Sequence, residues 1–181
     1  MTLTYNLTAD DYLQHQLFIA SKSEAIKKKR IKSRVIATAA SFLLALLFSQ
    51  AENKIFSYSF FAWGIVTLFF YPRYLRNHYK KHYEQFISTT FKNSFDDGST
   101  VTFDEDSIHA IDATGEMKIN SSQIEQIVET GTHVFVRLKT SGSLIIPQSR
   151  IENRDEVQTA LQELAKRLNI AYVKELNWKW K

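Results

Sequence analysis

The chain has 181 residues and a formal net charge of +4, a length that suits one ordinary domain, or a membrane hairpin with one small domain. It contains no cysteine, which excludes disulfide frameworks, thiolate metal sites and cysteine nucleophiles. Its five glycines form no phosphate-binding loop, and no serine lies in a Gly-x-Ser-x-Gly elbow, so the sequence predicts neither an enzyme nor a cofactor.

The first segment alternates polar and apolar residues at positions 2–7, which predicts a short strand. Thr8 then resembles a helix N-cap, with Asp11 three residues later in a capping-box arrangement. No glycine or proline occurs before Gly64, so one helix is expected to run from Asp10 through a basic stretch into the first apolar run. We therefore assign residues 1–34 to an N-terminal strand and a basic amphipathic helix.

Two uncharged apolar runs follow, at residues 35–49 and 55–71. Both are shorter than the roughly 20 residues that a transmembrane helix needs, so a buried hairpin of a water-soluble protein is the alternative. However, the runs are apolar on all sides, as lipid contact requires, and tyrosines lie among cations at the exit of the second run. This pattern favours a transmembrane helical hairpin over residues 35–74.

Cations flank the hairpin on its outer sides, whereas the short connection between the runs carries only Lys54. Because positive charge stays on the cytoplasmic side, both termini are predicted to be cytoplasmic in a multi-pass protein of the bacterial inner membrane. The same cations are candidate contacts for membrane lipid headgroups rather than nucleic acid, although fixing the topology alone would explain them. These residues are Lys27, Lys28, Lys29, Arg30, Lys32, Arg34, Arg73 and Arg76.

Three small residues, Ala37, Ser41 and Ala45, recur at a spacing of four within the first run. Small residues at this spacing let two helices approach closely in lipid. The partner is either the protein's own second helix or a second copy of the chain, which would make a homo-oligomer.

Residues 75–181 read as a cytoplasmic β-rich domain. Short alternating patterns predict strands at residues 91–95, 100–104, 107–112 and 116–120, and a hairpin made of residues 133–139 and 143–146. Residues 122–128 fit either a strand or a helical turn. Turns are expected at Asp97-Gly98, Gly115 and Ser141-Gly142.

The last predicted element is an amphipathic helix at residues 153–169. Asn153 and Glu156 suggest a capping pair, and an apolar stripe, Val157, Leu161, Leu164 and Leu168, must be buried on the sheet. The predicted fold class is therefore an α+β membrane protein: a transmembrane helical hairpin followed by a small antiparallel β meander or barrel that a C-terminal helix caps.

This order of parts resembles the YcxB-like family of bacterial membrane proteins. The resemblance rests on the start Leu-Thr-Tyr-Asn-Leu-Thr-Ala-Asp-Asp-Tyr, the basic arm, a hairpin that ends near Tyr71-Pro72-Arg73, and the strand pair at residues 134–147. It implies a small pleckstrin-homology-like C-terminal domain and an inner-membrane location. It carries over no established biochemical role and no catalytic residue.

Other candidate sites have ordinary explanations. His78 and His82 lie four apart on a presumed helix but lack a third ligand, so no metal site is predicted. The acidic residues around the first β turn lack the alternating spacing of a calcium loop; they are Asp96, Asp97, Asp104, Glu105 and Asp106. Near the C-terminus, Trp178 and Trp180 alternate with lysines, which suits an interfacial anchor or packing on the domain's own surface.

Two functions remain after these exclusions. The first is a non-enzymatic, membrane-anchored interaction module whose β domain presents a sheet edge, or a groove beside its helix, to a protein partner or lipid headgroups. The alternative is an immunity protein that protects the producing cell from a toxin, a role that the genes next to its own would test. An ion or proton pathway is disfavoured because neither apolar run contains an ionisable side chain.

Overall fold

The structure is a computed structural model that describes residues 1–50, 54–91, 98–112, 115–140 and 142–181. Several sequence predictions lie wholly or partly outside these residues. They are the middle of the hairpin connection at 51–53, the strand at 91–95 beyond Phe91, the acidic turn residues Asp96 and Asp97, and the turn residue Ser141.

The described chain is α+β, with two long apolar helices and two β-sheets, which confirms the predicted class at that level. In chain order the elements are β1 Thr2–Asn6, α1 Ala9–Lys22, α2 Glu24–Ser49, α3 Lys54–Thr90, β2 Gly98–Phe103, β3 Ser107–Asp112, β4 Gly115–Asn120, a 3₁₀ turn Ser121–Gln123, β5 Ile124–Thr130, β6 His133–Leu138, β7 Ser143–Pro147, α4 Arg154–Leu168 and β8 Ala171–Glu175.

Two compact units make up the fold. The β unit contains Met1–Gln16 and Glu84–Lys179, and the hairpin unit contains Leu17–Tyr83 with Trp180 and Lys181. This division differs from the sequence boundaries at residues 34 and 74. The N-terminal strand belongs to the β unit because β1 pairs antiparallel with β2, a contact across about a hundred residues that local patterns cannot show.

The β unit holds two four-stranded sheets, with strand orders β1-β2-β3-β4 and β7-β6-β5-β8. Neighbouring strands run antiparallel except β5 and β8, which are parallel. The apolar stripe of α4 is buried, as predicted, at Val157, Leu161 and Leu164. Strand β8 was not predicted, because five residues of mixed polarity give little local signal and its partner β5 lies across an intervening helix.

The structure confirms some of the predicted helix ends and contradicts others. The predicted cap of α1 is present, since the Thr8 backbone N–H and hydroxyl both donate to Asp11 Oδ2 at 2.7 Å. The expected single helix from Asp10 is wrong: Ser23 has extended backbone (φ −71°, ψ 115°), and its Oγ accepts from the Ile26 N–H at 3.4 Å, which starts α2. The capping pair predicted at Asn153 is absent, because Asn153 adopts a left-handed conformation with φ 52° and makes no side-chain cap bond.

The predicted apolar runs lie inside α2 and α3, and both helices are long and apolar enough to cross a membrane. Only 17 % of the most apolar 18-residue window of α2 is buried, and 6 % of that of α3. Pro72 lies inside α3, which continues to Thr90. Residues 122–128, which the sequence left undecided, are divided between the end of the 3₁₀ turn and β5.

Candidate functional site

The hairpin unit turns large apolar side chains outward along both helices. Leu46 on α2 is 63 % exposed, and Trp63 and Phe69 on α3 are 63 % and 71 % exposed. Single exposed apolar side chains are ordinary on a soluble protein, but a continuous belt over two helices marks a surface that contacts something other than water. The belt is therefore the first candidate functional surface.

Small and hydroxyl side chains mediate the contact between α2 and α3. Ser41 and Ala45 are buried, and the Ser57 hydroxyl donates to the Ala45 carbonyl at 2.8 Å. Gly64 lies so close to the Phe42 ring that an added Cβ would come within 2.9 Å of Phe42 Cε1. The small-residue stripe of α2 therefore contacts the protein's own α3, which is the first of the two sequence-based alternatives.

Cations gather where α2 begins and where α3 passes Pro72. We call the eight predicted lipid and topology residues together the basic junction: Lys27, Lys28, Lys29, Arg30, Lys32, Arg34, Arg73 and Arg76. All are exposed except Arg30, which is half-buried. Lys27, Arg30 and Arg34 share one face of α2 at helical spacing and, with Ile31, Pro72 and Leu75, line a groove of about 240 Å³. Three cations over an apolar floor suit an anionic headgroup with its acyl chain.

Arg34 also makes a contact that the sequence analysis missed. Its Nη2 donates to the Leu68 carbonyl at 2.9 Å. Leu68 lies four residues before Pro72, which has no N–H, so the helical partner of that carbonyl is missing. The guanidinium supplies a substitute donor. The sequence signal for this contact is only a proline directly after the second apolar run and an arginine directly before the first.

The two predicted anchor tryptophans lie in different surroundings. Trp180 is buried in the hairpin unit, where its Nε1–H donates to the Arg76 carbonyl at 3.1 Å and its ring centroid lies 4.9 Å from the Arg30 guanidinium. Arg30 Nη2 also donates to the Lys181 carbonyl at 2.7 Å. Trp178 is half-buried. Trp180 therefore packs on the helices of the hairpin unit and not on the surface of the β domain, and its role as an interfacial anchor stays a prediction.

The β unit contains a buried ionic cluster that sequence reasoning did not find. Asp11 and His133 are 3 % and 4 % exposed, and His133 Nε2 lies 2.9 Å from Asp11 Oδ1. The other oxygen, Oδ2, accepts from Thr8 and forms an ion pair with Arg150. Burial alone would raise the pKa of Asp11, but the hydrogen bonds from His133, Thr8 and Arg150 outweigh it and hold that pKa well below its usual range.

A hydroxyl extends this cluster, because Thr132 Oγ1 lies 2.8 Å from His133 Nδ1. The order hydroxyl, imidazole, carboxylate is that of a catalytic proton relay. Here, however, Arg150 and Thr8 hold the carboxylate ionised, and His133 is only 4 % exposed, so the imidazole has little access to a substrate. The cluster instead fastens the start of α1 to β6 and to the segment after β7.

A second buried carboxylate, Glu129, organises the contact of β5 with α4 and β8. It is 3 % exposed and accepts from the Tyr172 hydroxyl and from Gln158 Nε2, each at 2.9 Å. Burial, together with the neighbouring Glu129 charge, raises the pKa of Tyr172 above its usual range. These bonds join β5 to Gln158 of α4 and to Tyr172 of β8, beside the parallel backbone ladder that pairs β5 with β8.

A cleft separates β1 from α4 in the β unit. One part, of about 350 Å³, lies between Thr2–Thr4 and the start of α4; the other, of about 680 Å³, lies between Met1 and the end of α4. These volumes fall within the roughly 300–1,000 Å³ of typical ligand clefts. The cleft is the second candidate functional surface, and it is of the kind that the sequence analysis expected beside the helix.

The predicted histidine pair contacts aromatic rings. His78 stacks on Tyr74 with ring centroids 5.8 Å apart, and His82 lies 5.6 Å from the Tyr83 ring. Within the described part of the chain, no three His, Asp or Glu side chains are grouped so that they could hold a metal ion.

No family model, no curated protein and no solved structure matches the chain. The resemblance to the YcxB-like family therefore remains a prediction from the residues quoted above.

Proposed function

We propose that this chain is a two-span protein of the bacterial inner membrane with both termini in the cytoplasm, and that its β unit is a non-enzymatic interaction module. The observation that carries the membrane part is the apolar belt of α2 and α3, whose outward side chains have no apolar cover within the described chain. A bilayer would provide that cover over about 30 Å of hydrocarbon.

The basic junction supports the proposed orientation. The exposed lysines and arginines stand at one end of the two apolar spans, whereas Lys54 starts α3 at the other end. Cations near an anionic leaflet contribute about 1 kcal/mol each, so the junction favours the cytoplasmic face. The groove of Lys27, Arg30 and Arg34 would then lie at headgroup depth and contact lipid phosphates.

Two features of the β unit support its role as an interaction module. Its buried carboxylates, Asp11 and Glu129, accept hydrogen bonds from protein donors and stabilise the fold. They are therefore poorly suited to act on a substrate. Its cleft beside α4, in contrast, is open and carries an unpaired sheet edge. We further propose a pleckstrin-homology-like arrangement for this unit, in keeping with two sheets and one C-terminal helix.

The absence of cysteine makes the topology directly testable. Single cysteines replacing Lys54, Lys28 and Lys174 are labelled in intact cells with a membrane-impermeant maleimide. We expect labelling of Lys54→Cys from outside, and labelling of the other two only after the inner membrane is opened. Labelling of all three in the supernatant of lysed cells would overturn the membrane proposal, and outside labelling of Lys28→Cys would overturn the orientation.

The module proposal is tested separately with a photo-crosslinking amino acid at exposed positions of the β unit, including Thr4, Glu116 and Glu156, in living cells. A discrete adduct at one or more positions is expected. If every position of the β unit gave only the unlinked protein, the interaction-module proposal would be wrong.

A further inference from the structure

Among the residues that the structure describes, strand β1 has one free side: it is the first strand of its sheet and pairs only with β2. The Met1 nitrogen donates to the Phe103 carbonyl at 3.0 Å, and the Phe103 N–H donates to the Met1 carbonyl at 2.7 Å. Because such pairs alternate along an antiparallel ladder, Leu3 and Tyr5 also bond to β2, whereas Thr2 and Thr4 direct their backbone groups away from it.

Those outward groups face the cleft rather than another strand. Thr2, Leu3 and Thr4 line its narrower part, and β1 pairs with no second strand among the described residues. At the far end, the Asn6 carbonyl accepts from Arg150 Nη1 at 3.1 Å, so the open stretch ends there. Two N–H and two C=O groups, those of Thr2 and Thr4, are therefore available to an added strand.

Helix α4 forms the opposite wall. Val157 and Asn153 lie across from Thr2–Thr4, while Leu161, Leu164 and Arg167 lie across from Met1 and Phe103. Buried Leu161 and Leu164 of α4 give the wider part of the cleft an apolar floor, whereas the narrower part is more polar and has Val157 at its base. An extended segment would thus lie between a hydrogen-bonding strand edge and a helix, which is the arrangement of β-augmentation sites.

The charge of the cleft favours some binding segments over others. Two cationic groups lie among its lining residues: Arg167, whose Nη2 donates to the Glu105 carbonyl at 3.0 Å, and the N-terminal ammonium of Met1. Five carboxylates outnumber them: Asp104, Glu105, Glu152, Glu156 and Glu163. The field in the cleft is therefore negative, which attracts a cationic partner and repels an acidic one.

We propose that the β1–α4 cleft binds an extended, lysine- or arginine-bearing segment of a partner protein, which adds to β1 as a strand. This inference rests on the proposed function of the β unit as an interaction module and names its surface and its class of partner. The β1 strand of a second copy is disfavoured as the occupant, since Thr2–Asn6 carries no cation. The chain's own basic arm is helical in α2 and so is not extended.

Binding can be measured on the full-length protein in phosphatidylcholine nanodiscs, whose uncharged surface limits peptide adsorption. The probe is a fluorescein-labelled peptide of four Lys-Val repeats, followed by fluorescence anisotropy, with empty nanodiscs as background. We expect saturable binding that weakens at least tenfold in the double variant Glu156→Lys and Glu163→Lys. Both side chains are exposed, so the fold should be retained.

The matched control is Glu116→Lys, an exposed carboxylate on β4 at the opposite edge of the same sheet, which should change the affinity less than twofold. A second probe carries the same charges but N-methyl groups at alternate backbone positions, and it should not bind because it cannot pair with β1. Equal binding of the methylated probe, or equal loss of binding in Glu116→Lys, would show charge attraction without strand addition and would overturn the inference.

Failure of the β1–α4 cleft as a binding surface can be distinguished from failure of the interaction-module proposal. If the Lys-Val probe failed to bind while the crosslinker at Glu116 still gave an adduct, the module would stand and the β1–α4 cleft would be wrong as its surface. An adduct at Thr4 with the mass of two copies of this chain would assign the cleft to self-association and would likewise overturn the inference.

Discussion

The two units bury different side chains. The apolar spans of the hairpin unit turn large apolar side chains outward, whereas the sheets of the β unit turn them inward. In the spans, Leu46 and Phe69 are 63 % and 71 % exposed while Ser41 is 7 % exposed between the helices. In the β unit, Phe135 and Ile146 are 0 % exposed. One sequence thus follows two burial rules, which is the expected result if its two parts fold in different solvents.

The polar groups inside each unit repeat this contrast. Between α2 and α3 the described hydrogen bonds are single, as from the Ser57 hydroxyl to the Ala45 carbonyl, and the charged donor Arg34 lies just before the first span. The β unit instead buries full charges, Asp11 and Glu129, each with several donors. A water-solvated domain can assemble such clusters from segments far apart in sequence, whereas a helix in lipid must satisfy most polar groups within itself or on its neighbour.

The largest effect is expected from a charged side chain on the outward, apolar surface of the spans. Leu43→Asp places a carboxylate at a 59 % exposed position near the middle of the first span. In a bilayer this costs about 3 kcal/mol for insertion, so we expect most of the variant to be lost from the carbonate-resistant membrane fraction. Met117→Asp, at a 54 % exposed position of β4, is the control and should leave the amount unchanged. Equal tolerance of both changes would mean that water covers both surfaces.

A smaller effect is expected from removing Arg34. In Arg34→Leu the Leu68 carbonyl loses the guanidinium that replaces its missing helical donor, and the free energy of unfolding should fall by about 1–3 kcal/mol. In a Pro72→Ala background, residue 72 regains an N–H for that carbonyl, so the same substitution should cost much less. Denaturant unfolding of all four proteins in mixed micelles gives the coupling energy.

Lys32→Leu serves as the control for this cycle, because it removes a nearby exposed cation of the same helix. Two results would contradict the role of Arg34 as a substitute donor and leave charge alone as its function. One is a loss of stability in Lys32→Leu as large as that in Arg34→Leu. The other is a cost of Arg34→Leu that persists with Ala at position 72.

Local periodicity was sufficient for a large part of the fold. The alternating pattern of β6 and β7 and the stripe of α4 depend on neighbours within a few residues, so the sequence alone predicted their type and nearly their bounds. The two apolar helices were predictable for the same reason. The break at Ser23 was not, because nothing in the neighbouring sequence forbids a continuous helix there.

Sequence reasoning failed where structure depends on distant partners. Asp11 was recognised as part of a cap, but its contacts with His133 and Arg150 join residues more than a hundred positions apart. Strand β8 and the open side of β1 likewise follow from pairings with β5 and β2. The predicted cations lie near the start of α2 and around Pro72 of α3, yet which of them contact carbonyls or tryptophan depends on the packing of α2 and α3.

The stability of the β unit should be more sensitive to acid than that of the hairpin unit. His15 is half-buried in α1, its ring centroid lies 5.4 Å from that of Phe135, and its Nε2 has no hydrogen-bond partner in the described structure. Burial, with the charges of Arg137 and His133 nearby, lowers the pKa of His15 to about 4. The unfolded chain, with an ordinary histidine pKa of about 6.5, binds this proton more readily.

The stability that depends on neutral His15 is therefore complete above about pH 6.5 and is lost as the pH falls towards 4, by up to roughly 3 kcal/mol in total. We expect His15→Phe to remove this loss, because phenylalanine fills a similar volume without titrating. Hydrogen exchange of β6 amides, measured at several pH values and corrected for intrinsic rates, reports the effect within the β unit. Asp11, whose pKa is lowered, loses its contribution only below about pH 4, so the two windows separate. A wild-type slope between pH 6.5 and 4 that persisted in His15→Phe would assign the acid sensitivity to another group.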